Sequence, residues 1–189
     1  DADPARTDGR CNRHPVMIDT PREAIVYRRL EAADALIYRQ LRLDALRLSP
    51  SSFGGLFEEE QAKDVSEFVD AIGRNAIFGA WNGTGDLVGT VGLFARAGVK
   101  LLHKGVLFGL FVAPDWRTKG IGRALVQHVI REARSSMEAL QLAVATPSTS
   151  AVRLYRECGF REYGLERRAL KIGGEYVDEY LMELTFDDC

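Results

Sequence analysis

The chain has 189 residues, 46% apolar and 28% charged, the balance of one soluble globular domain with a core of its own. Its 25 basic and 27 acidic side chains leave a formal net charge of -2, which excludes the global basic field that draws nucleic acid and makes any anion site local. Cys11, Cys158 and Cys189 lack the paired spacing of a disulfide framework or a zinc site, so no metal is expected; no apolar run approaches the roughly 18 residues of a membrane span, and the chain reads as cytoplasmic with no membrane partner.

Residues 1–21 mix Asp, Arg, Pro and Gly without apolar period and are expected to form a disordered tail; Met17, just before the first regular segment, suggests a natural start there, with residues 1–16 upstream of it. Residues 25–30 have the branched and aromatic character of a short strand. Asp34 then stands where a helix cap would, and Leu36, Ile37, Leu41, Ala45 and Leu48 repeat on one face until Ser49-Pro50 closes the helix. Asp64 with Glu67 is a variant of the capping box, and Val65, Phe68, Val69 and Ile72 give a second helical stripe that Gly73 is expected to stop. Residues 76–81 and 87–95, joined by Asn82-Gly83-Thr84-Gly85-Asp86, form an antiparallel hairpin, because asparagine and glycine accept the positive φ such turns require.

Residues 106–112 are nearly all apolar, as in a strand buried on both faces, and end at Ala113-Pro114-Asp115. A helical repeat follows on Ile121, Ala124, Leu125, Val129, Ile130 and Ala133, and residues 140–145 return to strand character. That strand, helix, strand crossover favours parallel neighbours. Thr149 or Ser150 caps a short helix bearing Ala151, Leu154, Tyr155 and Cys158, with Gly159 at its end, and residues 162–171 and 176–184 flank Gly173-Gly174 as a last hairpin. The fold class is α+β with a mixed sheet, in one domain from residue 22 to 189.

The most informative turn is Arg117-Thr118-Lys119-Gly120-Ile121-Gly122, set between an apolar strand and an amphipathic helix. Its glycines let backbone approach a ligand, the free N–H groups and positive dipole end of the helix favour a phosphate, and Arg117, Lys119 and Arg123 add cations. The plain alternative, an ordinary strand-to-helix turn with solvated charges, has equal standing on spacing alone. A P-loop would need Lys and Ser or Thr after the last glycine, where Arg123 and Ala124 stand; a dinucleotide fold would need a third glycine and a later acidic residue.

Taken together, Leu110-Phe111-Val112, Arg117-x-x-Gly120-x-Gly122 and Ala151-x-x-Leu154-Tyr155-x-x-x-Gly159-Phe160 resemble, in order and spacing, the core motifs of GNAT acetyltransferases, and the resemblance covers about residues 25–184. It implies a GNAT-type curved, mixed β-sheet flanked by helices and splayed between the fourth and fifth strands, with the pantetheine arm of acetyl-CoA in the opening. It implies cofactor contacts from Leu110, Phe111 and Val112, from the turn Arg117, Thr118, Lys119, Gly120, Ile121, Gly122 and Arg123, and from Ser148, which stands where many relatives have asparagine. Tyr155 matches the family's general acid, although an isolated helical tyrosine is more often a core aromatic. The implied reaction is direct transfer of acetyl to a primary amine of a small molecule or peptide.

Departures from the family pattern leave gaps. The strand Val106-Leu107-Phe108-Gly109-Leu110 lacks the glutamate many relatives use to deprotonate the amine, so the candidate general bases are Glu58 and Glu59, with Glu60 beside them, or a water chain to solvent; a solvated acidic helix face is the competing reading for the glutamates. Ser51-Ser52-Phe53-Gly54 and the last hairpin around Tyr176 resemble segments bordering the acceptor pocket. Cys158 reads as a structural thiol, Trp81 and Trp116 as packing residues, and His103 as a solvated loop histidine or a base. A regulatory module that binds acyl-CoA without turnover is the alternative function, and a nucleotide-binding protein a third class. Oligomeric state is not encoded in any motif; the homodimer is common in the family.

Overall fold

A computed structural model describes residues 24–186; the expected tail, the Met17 start, Cys11 and Cys189 lie outside the described residues. The elements follow as β1 (Val26–Arg29), α1 (Ala35–Leu48), α2 (Phe57–Ala62), α3 (Val65–Arg74), β2 (Ala76–Trp81), β3 (Leu87–Ala95), β4 (Lys104–Val112), α4 (Ile121–Arg134), β5 (Ala139–Ala145), α5 (Thr149–Glu157), β6 (Arg161–Ile172) and β7 (Glu175–Thr185). The seven strands form one open sheet in the order β1-β2-β3-β4-β5-β7-β6. Among the described residues only β4 and β5 run parallel in it, the consequence of the α4 crossover.

Strand alternation divides the interior into two cores. Ile77 and Leu87 face Tyr38, Leu41, Phe68 and Ile72 of α1 and α3, while their neighbours Phe78 and Val88 face Leu125, Val126 and Val129 of α4. Tyr155 and Val152 of α5, Leu142 and Val144 of β5 and Met182 of β7 complete the α4 core. The sheet is thus covered on one face by α1 and α3 and on the other by α4 and α5.

Several local expectations change in detail. The buried residues of α1 are Ala35, Tyr38, Leu41, Leu43, Ala45 and Leu46, whereas Leu36 is 66% and Leu48 55% exposed. The inward face is thus rotated from the Leu36-Ile37-Leu41-Ala45-Leu48 stripe and includes Tyr38, whose ring packs edge-on against Phe68 of α3 at 6.0 Å. Gly73 does not stop α3, which runs on to Arg74 and ends where the Asn75 side-chain amide donates to the Ala71 carbonyl at 2.7 Å. The Asp64 backbone N–H does donate to Glu67 at 3.0 Å, as the capping box requires. The acidic segment beginning at Glu58 forms a helix of its own, α2.

Strand β4 is not buried on both faces. Gly105, Leu107 and Phe111 are buried, but the rest is partly open, because only Lys104, Gly105 and Val106 pair with Ala139, Leu140 and Gln141 of β5. Beyond Val106 the two strands diverge. The pairing of β4 with β3 also carries a bulge: three residue steps from Phe108 to Phe111 face two from Gly92 to Thr90, and Gly109 takes a φ of 63°. A bulge adds twist and re-aims the peptide groups beside it, which bends β4 away from β5.

Candidate functional site: a cleft where the sheet opens

The wedge between β4 and β5 widens into a cleft of about 830 Å³. Leu107 to Val112 form one wall, Ala143, Val144 and Ala145 the other, and α4 and α5 begin at its mouth. Parallel strands that part leave inward N–H and C=O groups without ladder partners, and such groups require partners from elsewhere. An extended, amide-bearing ligand has the groups to meet them.

The mouth is built for an anion. Thr118 and Gly120 adopt φ of 62° and 83°, which curls the chain into a concave row of amides ahead of α4. The first helical bond closed across the cap is Ala124 N–H to Gly120 O at 3.1 Å, and among the described residues no protein carbonyl meets the amides of Thr118 to Arg123. A Cβ added at Gly120 would meet nothing within 4 Å, so the space above the row is open. Gly122 packs near Leu154 of α5, where a Cβ would make an ordinary contact at 3.4 Å.

The neighbouring cations are already oriented. The Arg117 Nε donates to Val112 O at 3.0 Å, and its guanidinium lies 5.7 Å from the Phe111 ring centre. Lys119 stands 4.2 Å over the Trp116 ring, which therefore faces the cleft mouth instead of being only a packing residue. Arg123 pairs with Glu157, which also accepts from Arg153 Nε at 2.8 Å. The Glu157 carboxyl lies below the ordinary carboxylate range, chiefly through the Arg153 hydrogen bond and then through Arg123. Glu157 carried no role in the sequence reading; its i, i+4 spacing from Arg153 was the available signal.

Of the expected contacts, Leu110, Phe111, Val112, Arg117, Thr118, Gly120, Ile121, Gly122, Arg123, Ser148 and Tyr155 line the cleft, with Lys119 beside it. The Phe111 ring packs into the α1 core, 6.4 Å from Phe53. The carbonyl of Val112 is engaged by Arg117, leaving Leu107 to Leu110 as the freer edge. Ser49, Ser52 and Phe53 reach the cleft from the loop after α1, and Ser52 Oγ lies 3.2 Å from Ser148 Oγ. Glu58 and Glu59 are exposed on α2 and do not line the cleft; Glu58 borders a second hollow of about 490 Å³ that shares Phe53. Glu60 is held 3.5 Å from both Arg42 and Lys63.

Tyr155 is 6% exposed, packs edge-on to Phe160 at 5.8 Å and lines the inner cleft. Burial, and to a lesser degree Cys158, holds its phenol well above the ordinary tyrosine range, so it stays protonated at any physiological pH. Burial also raises the Cys158 thiol, which suits a structural residue better than a nucleophile. Gly109 is the feature the sequence reading passed over, although a lone glycine inside an apolar strand is itself the signature of a bulge.

A model of the Acetyltransferase (GNAT) family matches residues 42–160. The chain is 34% identical over 115 residues to the N-alpha-acetyltransferase RimI of Mycobacterium tuberculosis, covering 61% of this chain and 69% of that one. It is 30% identical over 90 residues to the spermidine N(1)-acetyltransferase of Vibrio cholerae, covering 47% of this chain and 52% of that one. It thus spans about half the length of the latter relative. A GNAT superfamily phosphinothricin acetyltransferase from Sinorhizobium meliloti, solved in complex with AcCoA, shares the fold with a TM-score of 0.74 at 19% identity, over 85% of this chain and 88% of that one. The chain belongs to the GNAT acetyltransferase family. Among the described residues no helix is long and apolar enough to cross a membrane.

Proposed function

We propose that this protein is an acetyl-CoA-dependent N-acetyltransferase acting on a primary amine of a small molecule or peptide. The observation that carries the proposal is the parting of β4 from β5 beside an unfilled row of amides, from Thr118 to Arg123. Those residues fit the group: the row would hold a pyrophosphate, and the free edge of Leu107 to Leu110 would pair with a pantetheine arm. Bound there, acetyl-CoA supplies an acyl thioester, which an amine opens without a covalent enzyme intermediate.

The protein's part is placement and charge control. The Gly109 bulge re-aims the peptide groups beside it, and an amide near Leu110 would hold the acyl oxygen, where a fixed N–H stabilises growing negative charge. Tyr155 donates its phenolic proton toward the departing sulfur. At ordinary values of pKa 10 and 8.5, full transfer is uphill by about 2 kcal/mol. Burial of Tyr155 raises that figure but raises the thiol's proton affinity in the same apolar surroundings, so a strong hydrogen bond that completes as the C–S bond breaks is the consistent role. Acceptors as different as an α-amine and spermidine occur among the relatives' names, and the acceptor pocket formed by the loop after α1 and the β6-β7 hairpin is proposed to choose between them.

The test is thiol release from acetyl-CoA with a panel of amines, including spermidine and alanine-initiated peptides. Release with at least one amine supports the enzyme; tight acetyl-CoA binding with no release on any amine identifies a binding module instead.

A further inference from the structure

The proposed transfer needs a group to take the proton of the incoming ammonium, and β4 offers none. We infer that Glu179 of β7 is that general base, an inference that rests on the acetyltransferase reading above. Its position follows from sheet register. Ala145, at the open end of β5 and part of the cleft wall, pairs directly with Glu179, and Ala143 pairs with Leu181. Directly opposed residues share a face, with Cβ atoms about 5 Å apart. Tyr180 and Met182 enter the α4 and α5 core, so Glu179 faces the other side of the sheet. Tyr155 lies in the α4 and α5 core. Tyr155 and Glu179 therefore stand on opposite faces of the sheet; Glu179 lies one strand beyond the β5 wall, beside Ala145 and not itself in the cleft lining, so it would meet the amine from the face opposite the tyrosine.

Glu179 is half-buried and lacks a counter-cation. Glu166 of β6 is its direct cross-strand partner, and like charges so placed repel. Among the described residues neither glutamate enters an ion pair. The nearby cations Arg168 and Lys171 lie over the Tyr176 ring, at 4.8 and 5.3 Å. Asp178 points elsewhere, its carboxylate accepting from the Arg168 N–H at 2.8 Å. The turn Pro50–Ser52, which packs over β5 and β6, brings only serine hydroxyls to this end. Burial first, and Glu166 second, raise the Glu179 carboxyl above the ordinary carboxylate range, toward the pH at which a base works best.

Glu157 in the cleft lining, Glu183 of β7 and His128 of α4 are each held elsewhere, and His103 precedes β4 at the closed end, where its carbonyl accepts from the Ala139 N–H at 3.2 Å. Glu157 is neutralised by Arg123 and Arg153. Glu183 accepts from Gln141 at 2.5 Å and lies 3.6 Å from Lys104, at the closed end where β4 and β5 are paired. His128 is stacked on Tyr27 at 5.2 Å, between α4 and β1.

The step balances. Glu179 takes one proton from R–NH3+, and the nitrogen lone pair forms the C–N bond as the C–S bond breaks. Sulfur leaves with that electron pair and receives a proton through Tyr155, while the second amine proton returns to the tyrosine through water. Glu179 releases its proton to solvent.

The test uses whichever panel amine gives turnover, with kcat followed from pH 5 to 9. Glu179→Gln should lower kcat at neutral pH about 100-fold, leave acetyl-CoA affinity within about twofold, and abolish the acidic limb of the profile, whereas Glu179→Asp should retain the limb at reduced kcat. Glu166→Gln should move that limb to lower pH, since it removes the charge that holds the Glu179 proton. Acetyl-CoA affinity reports that each variant is folded. Unchanged kcat and limb in E179Q, or a rise confined to the amine KM, would overturn the assignment. Failure of the parent reading looks different: wild-type protein that binds acetyl-CoA and releases thiol with no amine.

Discussion

Gly120 separates backbone strain from ligand charge in a way that few positions allow. Its φ of 83° is unfavourable for any residue with a Cβ, yet a Cβ there would touch nothing within 4 Å. Gly120→Ala should therefore cost only the strain of the left-handed conformation, about 1–2 kcal/mol, or roughly 2–8 °C in Tm for a chain of this size. Gly120→Glu adds the same strain and a carboxylate beside the amide row. A unit charge about 5 Å from a phosphate in partly screened surroundings contributes roughly 3 kcal/mol of repulsion, about 100-fold in affinity. Calorimetric titration with acetyl-CoA at two salt concentrations reads both effects: G120A should bind within a few-fold of wild type, and G120E at least 100-fold more weakly. Equal affinities for G120A and G120E would refute the placement of phosphate above this turn.

Three further outcomes follow from the same geometry. Tyr155→Phe should lower kcat roughly 100-fold while leaving the KM for acetyl-CoA within about twofold, since the ring stays and only the donor goes; steady-state thiol release checks this, and an unchanged kcat removes the tyrosine from the chemistry. Glu157→Gln should tighten acetyl-CoA binding several-fold at low salt and steepen its salt dependence, because Arg123 and Arg153 lose the carboxylate that now holds them. Gly79→Ala should destabilise the fold by about 1–3 kcal/mol in urea titration without changing the affinity of the folded fraction, because its Cβ would sit 2.6 Å from Leu87 and 2.9 Å from both Leu30 and Trp81, far from the cleft.

The order of elements was legible because each signal is local: period, capping residues and glycine turns. Asn82-Gly83-Thr84-Gly85-Asp86 does close the β2-β3 hairpin, with Asn82 Oδ1 accepting from the Asp86 N–H at 2.7 Å, and Gly173 and Gly174 turn β6 into β7. The cleft residues were legible as motifs for the same reason. What the sequence concealed depends on distant partners. The insertion of β7 between β5 and β6 is a pairing across the whole domain, and it alone puts Glu179 beside Ala145. The apolar run of β4 read as fully buried because apolar content does not distinguish a protein neighbour from a ligand. Leu36 and Leu48 fitted a helical stripe, but the direction in which Tyr38 and Leu41 meet the sheet is a tertiary fact.

The central claim is that the gap between β4 and β5 receives acetyl-CoA with its pyrophosphate on the amides ahead of α4. Backbone amide NMR of the labelled protein titrated with coenzyme A tests it most directly. The largest shifts are expected at Thr118 to Arg123 and at Leu107 to Leu110, with β1 and α3 unmoved. Shifts clustered away from the cleft, or none at saturating coenzyme A, would contradict it.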